Sequence, residues 1–165
     1  TFNPYSKIHE SVSSDICRRI LQRLKADGKT IRRVGLLVKQ HGIEWKDDRR
    51  FLKRRLQRFG VENCRMMLMI RTADLSGQHE KSEEGGLPRW RSQLCRIEEG
   101  IDMILKEQMC FSRSSLAIDG RDLMADGVPA GPELGEILEQ LLELVIEEEL
   151  PNEKEALLEK SRQIR

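Results

Sequence analysis

The chain has 165 residues, of which 35% are charged and only 4% aromatic, with a formal net charge of +1. That length supports one large domain or two small ones, each able to bury a core. Leu, Ile, Glu, Lys and Arg dominate, which points to an all-α fold and away from sheet-rich classes that lean on aromatic and β-branched residues.

Taken in order, residues 6–26 form a first expected helix, with Ile8, Val12, Ile16, Ile20 and Leu24 recurring every fourth position and Cys17 and Leu21 widening the stripe. Asp27-Gly28 stops it, and a second helix follows over 29–40 with Ile31, Val34, Leu37 and Val38 inward. Asp47 or Asp48 is placed to cap a third helix over 49–59, with Phe51, Leu52, Leu56 and Phe59 inward and Gly60 ending it. The fourth, 62–75, carries Met66, Met67, Leu68, Met69 and Ile70 and is apolar nearly all round, so a central buried helix is expected. Residues 76–87 are Gly-, Ser- and charge-rich and predict a loop.

Pro88 then opens a long helix to about 109, with Trp90, Leu94, Ile97, Ile101, Ile104 and Leu105 inward, expected to connect two halves. Between 111 and 131, Gly120, Gly127, Pro129 and Gly131 punctuate the chain and predict a short helix over 120–125 between tight turns. Asp119 is placed to cap that helix, and Asp122 to hold the turn by accepting from backbone N–H groups. A long helix over 133–149 carries Leu134, Ile137, Leu138, Leu141, Leu142, Val145 and Ile146 on one stripe; Pro151 ends it, and a last helix runs over 153–165.

Charge is segregated along the chain. From Arg18 to Arg58 there are fifteen Lys and Arg against four acids, a local charge of +11, whereas from Glu133 to the end four bases face ten acids, a local charge of −6. A basic half suits a polyanionic partner, and solvated amphipathic faces account for the same numbers. The four cysteines (Cys17, Cys64, Cys95, Cys110) form no CxxC and read as reduced thiols of a cytoplasmic protein. No apolar run approaches the ~20 residues of a membrane span, so no membrane partner is expected, and no secretory leader is visible.

The stretch 116–144, LAIDGRDLMADGVPAGPELGEILEQLLEL, resembles the C-terminal segment of bacterial CCA-adding enzymes, the tRNA nucleotidyltransferases related to poly(A) polymerases. Ile118, Asp119, Gly120, Asp122, Leu123, Gly131, Pro132, Leu134, Gly135, Leu138, Leu141 and Leu142 meet the fixed positions of that pattern. The runs 9–21, 29–41 and 71–78 resemble the HD-like helical middle of the long members. The resemblance implies an incomplete HD-like body over 1–75, a loop and connector helix over 76–111, and a tRNA-binding tail over 112–165. It also implies that nucleotidyl transfer, with its magnesium and nucleoside triphosphates, belongs to a catalytic head. No Gly-Ser motif with paired aspartates occurs here, so no catalytic residue, metal ligand or cofactor is expected within these residues. Where relatives often carry His-Asp, this chain has His41-Gly42, which counts against a metal phosphohydrolase; His9 and His41 alone lack a convincing third ligand.

Two features fit RNA contact. The turn 127–131 feeds a helix N-terminus, whose N–H groups suit a phosphate, with Gly131 and Gly135 leaving room and Arg113 and Arg121 beside it. Arg49, Arg50, Lys53, Arg54 and Arg58 form one broad helix face for an RNA backbone. Scarce aromatics favour shape recognition of a folded tRNA over stacking on unpaired bases. Two rival readings stand beside this one: a remnant HD-type phosphohydrolase, and a helical protein-interaction module docking through the 134–146 stripe. Oligomeric state is left open.

Overall fold

The computed structural model describes the backbone of residues 4–79 and 89–164 and the side chains of 9–77 and 89–164. Its elements are α1 (Pro4–Arg23), α2 (Gly28–Gln40), α3 (Arg49–Phe59), α4 (Val61–His79), α5 (Arg89–Lys106), a 3₁₀ turn (Arg113–Ser115), α6 (Gly120–Ala125), α7 (Pro132–Ile146) and α8 (Lys154–Ile164). Among the described residues there is no strand, and the all-α expectation holds. No described helix is long and apolar enough to cross a membrane.

The chain divides into two compact units, Thr1–Lys46 with Phe59–Glu98, and Asp47–Arg58 with Glu99–Arg165. Both are discontinuous, because α3 belongs almost wholly to the second and α5 contributes to each. The expected division at 75 and 111 runs along the chain and is of a different kind.

In the first unit, α1 and α2 form an antiparallel hairpin. Asp27, extended at its backbone, caps α2 by accepting from the N–H groups of Lys29 and Thr30 at 2.9 and 3.0 Å. The two helices meet where Gly35 faces the Arg18 side chain, and the buried Ser14 hydroxyl donates to the Gly35 carbonyl at 2.7 Å. The apolar stripe expected to bury α1 does so only at its edge. Val12, Ile16, Ile20 and Leu24 are 51, 48, 50 and 71% exposed, while Cys17 and Leu21, which widen the stripe, turn inward beside the buried Ser14. Ile8 lies outside the described side chains.

Helix α4 also departs from expectation. Cys64, Met67 and Leu68 are buried, but Met69 is 67% exposed, so it has one buried face rather than an all-round apolar surface. It continues through residues 76–79, which were expected to be loop; residues 80–88 lie outside the described set. Leu37 of α2, Phe59 at the end of α3, Leu94 and Ile97 of α5 and Trp45 before α3 are buried in this unit as well.

The second unit is built around α7. Ile137, Leu141, Leu142, Val145 and Ile146 are buried with Cys110, Ile118, Leu123, Val128 and Leu157. The 134–146 stripe is thus consumed by its own core and is not a free docking face. Leu52 and Leu56 of α3 and Ile101 and Ile104 of α5 are buried as well. The lack of a side chain at Gly100 lets Leu52 come close, since a Cβ there would lie 2.8 Å from its Cδ1.

Three helices end earlier than their periodicity suggested. After α1, α5 and α7, Lys25, Gln108 and Glu148 take φ of 55, 49 and 62°. Each left-handed residue lets a later N–H return to the last turn: Ala26 to Leu21 O at 3.0 Å, Met109 to Ile104 O at 3.0 Å, and Glu149 to Leu144 O at 2.9 Å.

Candidate nucleic-acid interface

The second unit gathers every basic or glycine residue singled out for RNA contact. The start of α6 is fixed by a reciprocal cap. Asp119 accepts from Arg121 N and Asp122 N at 2.7 and 3.2 Å, and Asp122 accepts from Asp119 N at 2.9 Å. Both aspartates therefore do what their positions suggested. Lys154 of α8 donates to Asp122 at 2.5 Å, and this ammonium holds the Asp122 carboxyl below the usual carboxylate range while the Lys154 pKa rises. Arg162 pairs with Asp126 at 2.5 Å, which raises the Arg162 pKa, so α8 is tied to both ends of α6.

Gly127 ends α6 at φ 91°, a conformation that favours glycine, with its N–H on Met124 O at 3.0 Å. Gly120 is needed for a different reason: a Cβ there would lie 2.9 Å from Leu134 Cδ2, where α6 packs on α7. Neither reason applies to the two glycines at the start of α7. Gly131 is extended (φ 168°), and a Cβ on it would meet nothing within 4 Å. A Cβ on Gly135 would touch only Arg113 Nη1, at 3.9 Å. Gly131 is the N-cap residue and supplies no side-chain cap, with Pro132 opening the helix, so the first-turn N–H groups of α7 stand at an exposed surface.

Arg113 lies beside this turn. Its Nε donates to Glu139 at 2.7 Å, and Gln57 of α3 donates to the other oxygen of Glu139 at 3.0 Å. The Arg121 side chain is exposed.

The basic face of α3 is not a row of solvated cations. Lys53 is only 6% exposed, with its Nζ 3.2 Å from Glu148. Arg54 pairs with Glu147, which raises the Arg54 pKa, and Arg50 reaches the Glu147 carbonyl at 3.5 Å. Arg55 lies 4.6 Å from the Phe51 ring centroid. Arg49 and Arg58 are exposed. The charge segregation read along the sequence is thus partly cancelled inside one unit, the basic α3 meeting the acidic end of α7. The sequence reading missed Glu139, Glu147 and Glu148 as partners; the one available signal was that opposite charges accumulated on two amphipathic helices.

In the first unit, His9 and His41 do come together, with ring centroids 6.3 Å apart and edge to face. His41 Nδ1 sits 2.7 Å from the Val38 carbonyl. Among the described residues, no group of three or more His, Cys, Asp or Glu is arranged to hold a metal. The His79 side chain lies outside the described set.

Comparison with known proteins adds to this geometry. No solved structure matches the chain. The CCA-adding enzyme of Levilactobacillus brevis is 51% identical over 47 residues, which are 28% of this chain and 12% of that enzyme. The model of the family described as tRNA nucleotidyltransferase domain 2 matches residues 8–161, nearly the whole chain. The protein belongs to the tRNA nucleotidyltransferase domain 2 family.

Proposed function

We propose that this chain is the RNA-holding region of a tRNA nucleotidyltransferase. It grips folded tRNA in the cytoplasm while a catalytic head elsewhere in the enzyme adds CCA, or part of it, to the 3′ end. The second unit carries the grip. A tRNA phosphate sits at the N-terminus of α7, where unpaired N–H groups and the positive end of the helix dipole favour an anion. Arg113 and Arg121 flank that phosphate, and Arg49 and Arg58 extend the contact along α3. Arg50, Lys53, Arg54 and Arg113 already face carboxylates or carbonyls of α7 and its C-terminal turn, which RNA must displace.

The observation that carries this reading is the pair Gly131 and Gly135. Neither backbone strain nor internal packing demands glycine at either position. At Gly135, inside α7, glycine costs roughly 1 kcal/mol relative to alanine, whereas at the N-cap position of Gly131 glycine is well tolerated. Close approach by something outside the chain gives that cost a purpose.

The test is a titration of the chain with folded tRNA at two salt concentrations, against an unfolded control RNA. Binding that prefers the folded tRNA and weakens steeply with salt is expected, since each neutralised phosphate releases counterions. Equal affinity for the unfolded control, or no binding at low salt, overturns the proposal.

A further inference from the structure

The first unit contains a cavity of about 180 Å³ that none of the residues discussed for tRNA lines. Trp45 and Trp90, the two tryptophans of the chain, both line it. In a chain with 4% aromatic residues, their convergence is not a by-product of an aromatic core. Trp45 comes from the segment before α3 and is 4% exposed, so its ring is held by packing. Trp90 and Gln93 lie one turn apart on α5, which places both on the cavity side of that helix.

Three polar side chains share the lining: Glu44, Arg71 and Gln93. The Gln93 amide nitrogen donates to the Trp45 carbonyl at 3.3 Å, which fixes the amide and leaves its oxygen to accept. Arg71 spends one of its five N–H donors on Asp74, at 3.3 Å. Glu44 is exposed and adds a second acceptor.

This combination selects a ligand class. An apolar cavity of about 150 Å³ accommodates benzene, so this one holds a single small ring system. Indole walls suit a flat π-face, while a mixed set of donors and acceptors suits a ring whose edge carries both. A purely aliphatic ligand has no use for the polar trio, and a bare phosphate has no use for the indoles. We infer that the cavity binds one unstacked nucleobase, presented by an RNA chain or by a free nucleotide. The inference rests on this cavity and stands apart from the grip at α7.

Both tryptophans line the cavity, so the intrinsic fluorescence of the chain reports on it directly. The chain is titrated with each of the four nucleoside monophosphates and with a single-stranded tetranucleotide. Saturable quenching is expected, and Leu75→Phe, which adds bulk to the lining without adding a tryptophan, weakens it at least tenfold. Gln93→Leu changes the preference among the four bases. Quenching by the monophosphates identifies a nucleotide site; quenching by the tetranucleotide alone identifies a site for a base within RNA. No saturable quenching by either overturns the inference, as does quenching that survives Gln93→Leu with unchanged affinity and unchanged base preference in a folded variant. Binding of folded tRNA in the same preparation is unaffected by that result, so the two proposals fail separately.

Discussion

Helices α1 and α7 carry apolar stripes of similar regularity, yet their fates are opposite. In α7, Leu141 and Leu142 are 0 and 1% exposed at the centre of a core drawn from α6, α8, the turn between α6 and α7 and the segment before α6. In α1, Ile16 and Ile20 are about half exposed, and the helix meets α2 through Ser14 and the small surface of Gly35. Periodicity states that a helix has an apolar face. It does not state which neighbour the face meets, because a small, hydrogen-bonding edge can win the close contact when the facing helix offers a glycine.

The largest expected effect that sharpens this contrast is Leu141→Ala, which should cost about 2–5 kcal/mol by leaving a cavity in the second core. Denaturant melts measure it, and a cost below about 1 kcal/mol would break the claim that α7 anchors that core. Next is Gly127→Ala. At φ 91° a side chain is strained, so roughly 1–2 kcal/mol should be lost from the turn that ends α6 and leads to α7. Gly135→Ala should act in the other direction, raising stability by about 0.4–1 kcal/mol, because its Cβ meets only an ordinary contact with Arg113 in a helix. The smallest effect is reserved for α1: Ile16→Gln and Ile20→Gln should each change stability by no more than about 0.5 kcal/mol. A large loss there would mean that the stripe is covered in solution.

The sequence announced most helices within a few residues, because Gly, Pro and Asp punctuation coincided with 3.6-residue periodicity. Asp119 and Asp122 were legible for the same reason: capping chemistry is local, and both residues lie within one turn of the groups they bind. The ends of α1, α5 and α7 were not legible, since Lys25, Gln108 and Glu148 stand where a glycine would have signalled the left-handed turn. The ion pairs of Lys53 and Arg54 with Glu148 and Glu147 were equally hidden, because the partners lie 95 and 93 residues apart. The exposure of Met69 was missed because an all-apolar run leaves no polar face to orient the helix. At the candidate interface, glycines alone could not be sorted by purpose. Only the surrounding atoms separate Gly120 and Gly127, which the fold requires, from Gly131 and Gly135, which it does not.

That separation makes Gly135→Glu the most direct test of the RNA-holding account. A carboxylate in the first turn of α7 complements the helix dipole, so the variant should fold at least as stably as the parent. The same carboxylate repels a phosphate at that turn. Melting curves and tRNA affinity are measured together on the parent and the variant. The account predicts retained or raised stability with a loss of affinity of tenfold or more and a shallower salt dependence. A variant that folds as well and binds tRNA as tightly as the parent would contradict it.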